Sequence, residues 1–369
     1  MEVKVWSYLK ELESEKSEIL ASISKVLDSG VLILGKQGQE FEENFANYCN
    51  VKFGIGVNSA TDALFFALRA LDIKKGDEVI TVSNTAVPTV SAISATGATV
   101  KFVDIDPRTY LMNLDLLEKE INLKTKCIIA VHLFGQCLDF NKLEYISNKY
   151  KIPIIEDCAQ SHGAKNNNKI AGSFGILSAF SFYPTKILGG YGDAGMVLTN
   201  DESLRDKIKR LRFYGMEKTY YSLEQGYNSR LDEIHAAILN YKFKNIDTYI
   251  SKRRILAARY DELLSKADLI LPSVSENNYH SYYLYVVRHI KRDFIIDELK
   301  KKEIFLNISY PWPIHTMPGY THLNYKNGDL PETEKAANEI FSLPMYPSLT
   351  FEEQDYVINS LINILNLIK

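Results

Sequence analysis

The chain has 369 residues, a formal net charge of −3, 46% apolar residues and 24% charged ones. That length supports a large core and two structural lobes. The near-neutral balance gives no reason to expect nucleic acid or an anionic membrane as partner, and no apolar run approaches the roughly 18 residues of a membrane span.

The first segment, "MEVKVWSYLKELESEKSEIL", reads as an amphipathic helix and lacks the apolar core of a signal peptide, so a cytoplasmic protein is expected. Apolar strands then alternate with helical segments. "FGIGV" precedes "TDALFFALRAL", "EVITV" precedes "TAVPTVSAISAT", and "TVKFVDI", "DLLEKEI", "CIIAVHLFG", "LEYISNKY" and "IPIIEDCA" follow. Short continuous apolar runs mark strands buried on both faces, and the alternation predicts an α/β sheet with right-handed crossovers. The pattern breaks after Ala179, where "AFSFYPT" and "GMVLTN" are strand-rich with no long helix between them. From Asp201 the chain turns helical, in "ESLRDKIKRLRFYG" and "LDEIHAAILNYKFKNIDTYISKRRILAARYDELLSKA". The charges of "SKRRILAARY" read as the wet face of a helix. Beyond Leu271 come "SYYLYVVRHI", a helix in "RDFIIDELKKKEI", a strand-like "FLNISYPW" and a closing helix near "FEEQDYVINSLINILNLIK". The division falls near Asn245: residues 1–245 as a large domain with the N-terminal helix, 246–369 as a small C-terminal α/β domain. Cys49, Cys127, Cys137 and Cys158 have no C-x-x-C spacing and read as small buried thiols, with no metal site expected.

Three stretches carry chemistry. "GYGDAG" (190–195) matches G-x-G-x-x-G, but a dinucleotide fingerprint follows a strand and opens a helix. Here the strand-like "MVLTN" follows, which argues against a nicotinamide oxidoreductase. In "IPIIEDCAQSHG" a strand ends in Glu156-Asp157, putting a carboxylate at the carboxyl end of the sheet, where α/β proteins bind ligands; taken alone it reads more readily as a solvated acid at a strand end. In "GVNSATDALFFAL" a strand turns through Asn58, Ser59, Ala60 and Thr61 into a helix whose first amides suit a phosphate, although capping alone accounts for the turn. In "SFYPTKILGGYGDAG" Lys186 sits between Pro184 and a run of glycines. A phosphate cradle, a strand-end acid and a cornered lysine together are what pyridoxal phosphate requires. The lysine bonds the aldehyde, the acid keeps the pyridine nitrogen protonated, and the small residues leave room for a flat ring.

These residues resemble a known family. "DCAQSHGA", "SFYPTK", "GDAGMVLTN", "RFYGMEKTYYSLEQGYNSRLDEIHAAIL" and "YPWPIHTMPGY" are similar to the DegT/DnrJ/EryC1/StrS sugar aminotransferases, in order, from about residue 30 to about 350. The resemblance implies the α/β fold of aspartate aminotransferase (fold type I), with a mixed seven-stranded sheet in a large lobe, a small C-terminal lobe, and a homodimer with shared active sites. It implies Lys186 as Schiff-base lysine and proton shuttle, Asp157 on the pyridine nitrogen and Gln160 on the ring hydroxyl. Ser59, Ala60, Thr61 and the Ser181 hydroxyl would hold the phosphate, and Asn228 would reach the partner's phosphate. His162, Tyr183, Arg230, His315 and Tyr320 would lie near the substrate; for His315 and Tyr320 a plain loop role is as good a reading.

Where many members place an aromatic after "NT", this chain has Ala86, so stacking on the cofactor must come from elsewhere. The lysine argues against the branch that replaces it with histidine and dehydrates, and against a non-catalytic regulator. Elimination in place of transfer would be excluded by dependence on glutamate. "YGMEKTYYSLEQGYNSRLDE" is similar to members that aminate C3 of dTDP-linked 3-keto-6-deoxy sugars with glutamate as donor, giving dTDP-3-amino-3,6-dideoxyhexoses for surface polysaccharides or antibiotics. The alternative is the same chemistry at C4 of a nucleotide-linked 4-keto-6-deoxysugar.

Overall fold

The computed structural model describes residues 1–368. The chain starts with β1 (Val3–Lys4), α1 (Leu9–Ser29) and α2 (Lys36–Tyr48). Strands and helices then alternate as the apolar runs predict: β2 (Phe53–Val57), α3 (Ala60–Ala70), β3 (Glu78–Val82), α4 (Val87–Ala95), β4 (Thr99–Val103), α5 (Leu114–Glu120), β5 (Thr125–Val131), α6 (Phe140–Tyr150) and β6 (Ile154–Asp157). A small hairpin, β7 (Lys165–Asn166) and β8 (Lys169–Ile170), leads to β9 (Leu177–Ser181) and β10 (Gly195–Thr199). Next come α7 (Glu202–Leu211), the hairpin β11 (Met216–Lys218) and β12 (Tyr221–Ser222), α8 (Glu233–Phe243) and α9 (Ile246–Leu264). The last elements are β13 (Asn278–Tyr279), β14 (Tyr285–Arg288), α10 (Arg292–Lys300), β15 (Ile304–Phe305), α11 (Pro331–Glu339), β16 (Ile340–Leu343) and α12 (Phe351–Leu367).

Local chemistry sets the helix ends. Asp139 and Asp201 accept the first free amides of α6 and α7, and Thr350 with Glu353 forms a reciprocal capping box on α12. The long helical pattern after Leu231 is two helices, because Asn245 (φ −107°, ψ 6°) leaves helical geometry between α8 and α9. Of the strand expected in "FLNISYPW" only the first residue, Phe305, is in a strand, the two-residue β15 that begins one residue earlier at Ile304. Beyond it only an isolated bridge joins Asn307 to Ser342, and Tyr310 takes a left-handed φ of 65° that ends any extended run.

Seven strands form one sheet in the order β2-β10-β9-β6-β5-β3-β4. Only β10 runs against the others, so the sheet is mixed, as the resemblance implied. Strands β9 and β10 are buried along their whole length, which is why they read as unbroken apolar runs. The reversal of β10 brings its first residue, Gly195, to the edge where the parallel strands end. There Gly195 pairs with Val57 on one side and Ser181 on the other, while Asp157 is level with Val131 and Ala179. The lysine turn, the strand-end acid and the turn before α3 therefore converge on one rim of the sheet.

Two apolar clusters fill the molecule. The larger surrounds the sheet; the smaller joins α9, β14, α10, β16 and α12 through Tyr260, Tyr285, Leu299, Phe341 and Leu361. Packing crosses residue 245 in both directions. Val3, expected with the large lobe, lies in the smaller cluster because β1 pairs with β15, while Ile246, Tyr249 and Ile250 lie in the larger. All four cysteines are buried free thiols, as read from their spacing.

Candidate active site

At the converging rim lies a cavity of about 220 Å³. One wall is the start of α3. Ser59 is its N-cap: the hydroxyl accepts the Asp62 amide at 3.1 Å, which leaves the amides of Ala60 and Thr61 without a helical partner, and both residues line the cavity. This helix start is pressed onto β10. A Cβ on Gly195 would stand 2.3 Å from the Ser59 carbonyl carbon and 2.7 Å from the Ala60 nitrogen, so only glycine lets the two backbones approach this closely. Asn58 and Ser229 tie the neighbouring loop down: the Ser229 hydroxyl donates to Asn58 Oδ1 at 2.8 Å and accepts the Asn58 amide at 3.2 Å.

The opposite wall holds Asp157, buried at the end of β6. One carboxyl oxygen accepts the Thr89 hydroxyl at 2.7 Å and the other the Ala159 amide at 3.1 Å. Burial pushes this carboxyl above its ordinary range, while the bonds from Thr89 and Ala159 and the charge of Lys186 pull the other way. No ion pair involves Asp157 among the described residues. Its neighbour Glu156 points the other way, where both oxygens are occupied by His132 Nε2 (2.9 Å) and the amides of Gly172, Phe174 and Gly175. Glu156 is thus a structural anchor and Asp157 the acid that faces the cavity.

Lys186 reaches the cavity from a tight turn after β9. Its amide donates to the Tyr183 carbonyl at 2.9 Å and the Gly190 amide to the Phe182 carbonyl at 2.8 Å. Gly189 packs so closely that a Cβ there would sit 2.4 Å from the Pro184 carbonyl oxygen. The proline and glycines do aim the lysine, as their pattern suggested. After the glycine run comes β10, a strand, so the G-x-G-x-x-G match opens no helix.

Gln160, Ser181 and Tyr183 also line the cavity. The Gln160 carbonyl accepts the Phe134 amide at 2.9 Å, and its amide nitrogen donates to the Tyr310 hydroxyl. The wall at Ala86 and Pro88 is aliphatic, and the aromatic rings among the lining residues are His132 and Tyr183, the latter half exposed.

Other expected site residues lie elsewhere. His162 does not line the cavity. Its ring is wholly buried among Phe45, Phe180 and Phe182, and both ring nitrogens lack partners. Burial, reinforced by the charge of Lys186, pushes its imidazole down to about 3. The expected substrate contact is therefore replaced by packing beneath the site. His315 is likewise buried as a pin. It bonds the Ser83 hydroxyl through Nδ1 (2.8 Å) and Glu334 through Nε2 (3.1 Å), fixing the segment that continues into Thr85 and Ala86. Tyr320 bonds the Ser91 hydroxyl at 3.1 Å and Arg230 lies over Phe213, neither lining the cavity. Asn228 is exposed and lines no part of the cavity of its own chain.

The sequence reading missed Thr89, Tyr310 and Tyr283. Thr89 had a faint signal, since Thr85 and Thr89 are four apart at a helix start and bond each other at 3.1 Å. The two tyrosines come from the second lobe and no local pattern marks them.

The residues present fit pyridoxal phosphate. A buried acid without a cationic partner faces the place for a protonated ring nitrogen, free helix amides face the place for a phosphate, and a lysine stands between. Comparison with known proteins agrees. Residues 13–362 match the DegT/DnrJ/EryC1/StrS aminotransferase family. The chain is 48% identical over 366 residues (98% of each chain) to dTDP-3-amino-3,4,6-trideoxy-alpha-D-glucose transaminase of Micromonospora megalomicea subsp. nigra. It is 41% identical over 345 residues (94% of each) to dTDP-3-amino-3,6-dideoxy-alpha-D-galactopyranose transaminase of Aneurinibacillus thermoaerophilus. It is 40% identical over 338 residues (92% of this chain, 91% of the relative) to a UDP-N-acetyl-3-dehydro-alpha-D-glucosamine 3-aminotransferase of Acidithiobacillus ferrooxidans. Among solved structures, DesV of Streptomyces venezuelae superposes with a TM-score of 0.97 at 36% identity, covering 99% of this chain and 98% of DesV. NtdA of Bacillus subtilis, with bound cofactor PMP, gives 0.90 at 31% identity, covering 96% and 82%. With its fold, its lysine-and-acid cavity and these relatives in agreement, the chain belongs to the DegT/DnrJ/EryC1/StrS aminotransferase family and is a sugar aminotransferase that uses pyridoxal phosphate.

Proposed function

We propose that the enzyme moves an amino group from glutamate to C3 of a dTDP-linked 3-keto-6-deoxyhexose, giving a dTDP-3-amino-3,6-dideoxyhexose. The observation that carries the chemistry is one cavity walled by Lys186, Asp157 and the open end of α3. When bound, the cofactor supplies an aldehyde that carries the amine and a ring that draws charge from the substrate carbon. Asp157 keeps a proton on the ring nitrogen; its burial makes a cationic partner favourable. The amides of Ala60 and Thr61 and the Ser181 hydroxyl hold the phosphate, and Gln160 bonds the ring hydroxyl. Lys186 Nζ takes the proton from the donor's α-carbon and returns one to the sugar carbon, acting as base and then acid. Tyr183 borders the mouth and the sugar.

The choice of C3 rests on the "GYNSRLDE" segment and on three relatives whose names all place the nitrogen or the keto group at position 3. One of those relatives is named for a UDP sugar and another for a 4-deoxy sugar. The purified enzyme should therefore be offered dTDP- and UDP-linked 3-keto and 4-keto sugars, with and without a C4 hydroxyl, each with glutamate. We expect amination at C3 of the dTDP 3-keto sugar by NMR; amination at C4 alone, or indifference to glutamate, overturns the assignment.

The working unit is proposed to be a homodimer in the cytoplasm, feeding surface-polysaccharide or antibiotic synthesis. Supporting the dimer, Val31, Leu32, Ile33 and Leu34 form an apolar run that is 38–49% exposed, and Asn228 is exposed and lines no part of its own cavity. If Asn228 serves the partner's phosphate, co-expressing Lys186→Arg with Asn228→Ala chains rebuilds one intact site per mixed dimer. About a quarter of wild-type activity should return, as a two-fold dimer requires. No recovery in verified mixed dimers rejects the shared site.

A further inference from the structure

Lys186 stands between two chambers. In front is the cofactor cavity. Behind is a narrow space of about 10 Å³ bordered by Glu11, Tyr191, Lys242 and Arg253. A lysine stem has four rotatable carbons, so a released amine can turn either way. Tyr283, which comes from the second lobe, stands against it. The lysine Nζ lies 4.5 Å from the Tyr283 ring centroid, and the Tyr283 hydroxyl is 3.1 Å from the hydroxyl of Thr185, the residue before the lysine. The ring is itself held. Arg253 Nη1 donates to the carbonyls of Tyr282 (3.3 Å), Tyr283 (3.1 Å) and Met345 (2.7 Å), which fixes this segment to α9. The two groups sense each other: burial pushes the Tyr283 phenol up, yet the Lys186 charge and the bonds from Thr185 and Lys186 outweigh it and leave it below its ordinary value.

We propose that Tyr283 is the positioning residue for Lys186: its ring face holds the free amine on the cavity wall and keeps it from swinging back toward Glu11 and Lys242. A ring face attracts an ammonium group, and an amine already in place reacts as though at high effective concentration. The proposal rests on Lys186 being the cofactor's lysine, and the test separates the two.

Apoprotein is mixed with pyridoxal phosphate, and the rise in absorbance is followed as Nζ joins the aldehyde carbon and one water leaves. Borohydride then fixes the label for peptide mapping. Tyr283→Leu should capture the aldehyde about tenfold to a hundredfold more slowly, while Tyr283→Phe, which keeps the ring, stays within about threefold. Equal rates for Leu and wild type, or Phe as slow as Leu, overturn the proposal. Lys186→Arg should show no labelled peptide at 186; capture at wild-type rate there rejects the lysine assignment, whatever Tyr283 does. Should the Leu variant fail to fold, NMR of ring-labelled tyrosine in the apoprotein still decides. Tyr283, assigned with Tyr283→Phe, should ionise below the usual value of about 10 and shift upward in Lys186→Met. No shift in Lys186→Met means the two do not touch, and the proposal falls.

Discussion

Arginine in place of Lys186 should lower kcat by roughly 10²–10⁴-fold, the range lost with one positioned proton-transfer group. Guanidinium stays protonated at any working pH, so it can neither take the proton from the donor carbon nor attack an aldehyde. Two measurements bear on this. Steady-state turnover should collapse, and borohydride treatment should add no cofactor mass to the peptide around residue 186. Turnover within tenfold of wild type would remove the basis of the mechanism.

The second large effect is on stability in mild acid. His162 and His280 are both buried, and burial holds each imidazole down at about 3 in the folded chain. In the unfolded chain both titrate near 6.5. Between these values the unfolded state binds one more proton at each histidine, so stability rises with pH and is lost as pH falls below about 6.5. The slope is about 1.4 kcal/mol per pH unit for each group, so going from pH 6.5 to 4.5 should cost on the order of 5 kcal/mol for the pair. That is a large share of a typical folding free energy of about 5–15 kcal/mol. Urea midpoints across this range, at fixed ionic strength, should show it. His162→Leu, close in volume and without the unpaired nitrogens, should flatten the slope by about half. An unchanged slope in that variant means the imidazole is not the source.

Much of the scaffold could be read from the chain because the strands of the sheet are short, largely apolar runs that are mostly buried, with β9 and β10 buried along their whole length. The candidate site was readable where side chain and backbone geometry coincide locally: a lysine in a Pro-Gly turn, an acid closing a strand, a serine cap before a helix. What escaped depended on distance in sequence. Nothing in "SYYLYVVRHI" says that Tyr283 will lie over a lysine from another lobe, and nothing in "NISYPW" says that Tyr310 will meet Gln160. Histidines misled for the opposite reason. His162 and His315 sit in motifs rich in functional residues, but burial decides their roles, and a string of letters does not record which side of a wall a ring occupies. The second lobe was also less legible, since its strands are two to four residues long and are set by pairing, as in β14 with β16, more than by their own pattern.

The pairing of Val3–Lys4 with Ile304–Phe305 has a consequence for synthesis. Strand β1 finds its neighbour only after the roughly 300 residues between them have been made. At about 5–20 residues per second the wait is roughly 15–60 s. The large sheet can close during that delay, but β1 cannot be secured, and it stays open to proteases and to other nascent chains until β15 has emerged.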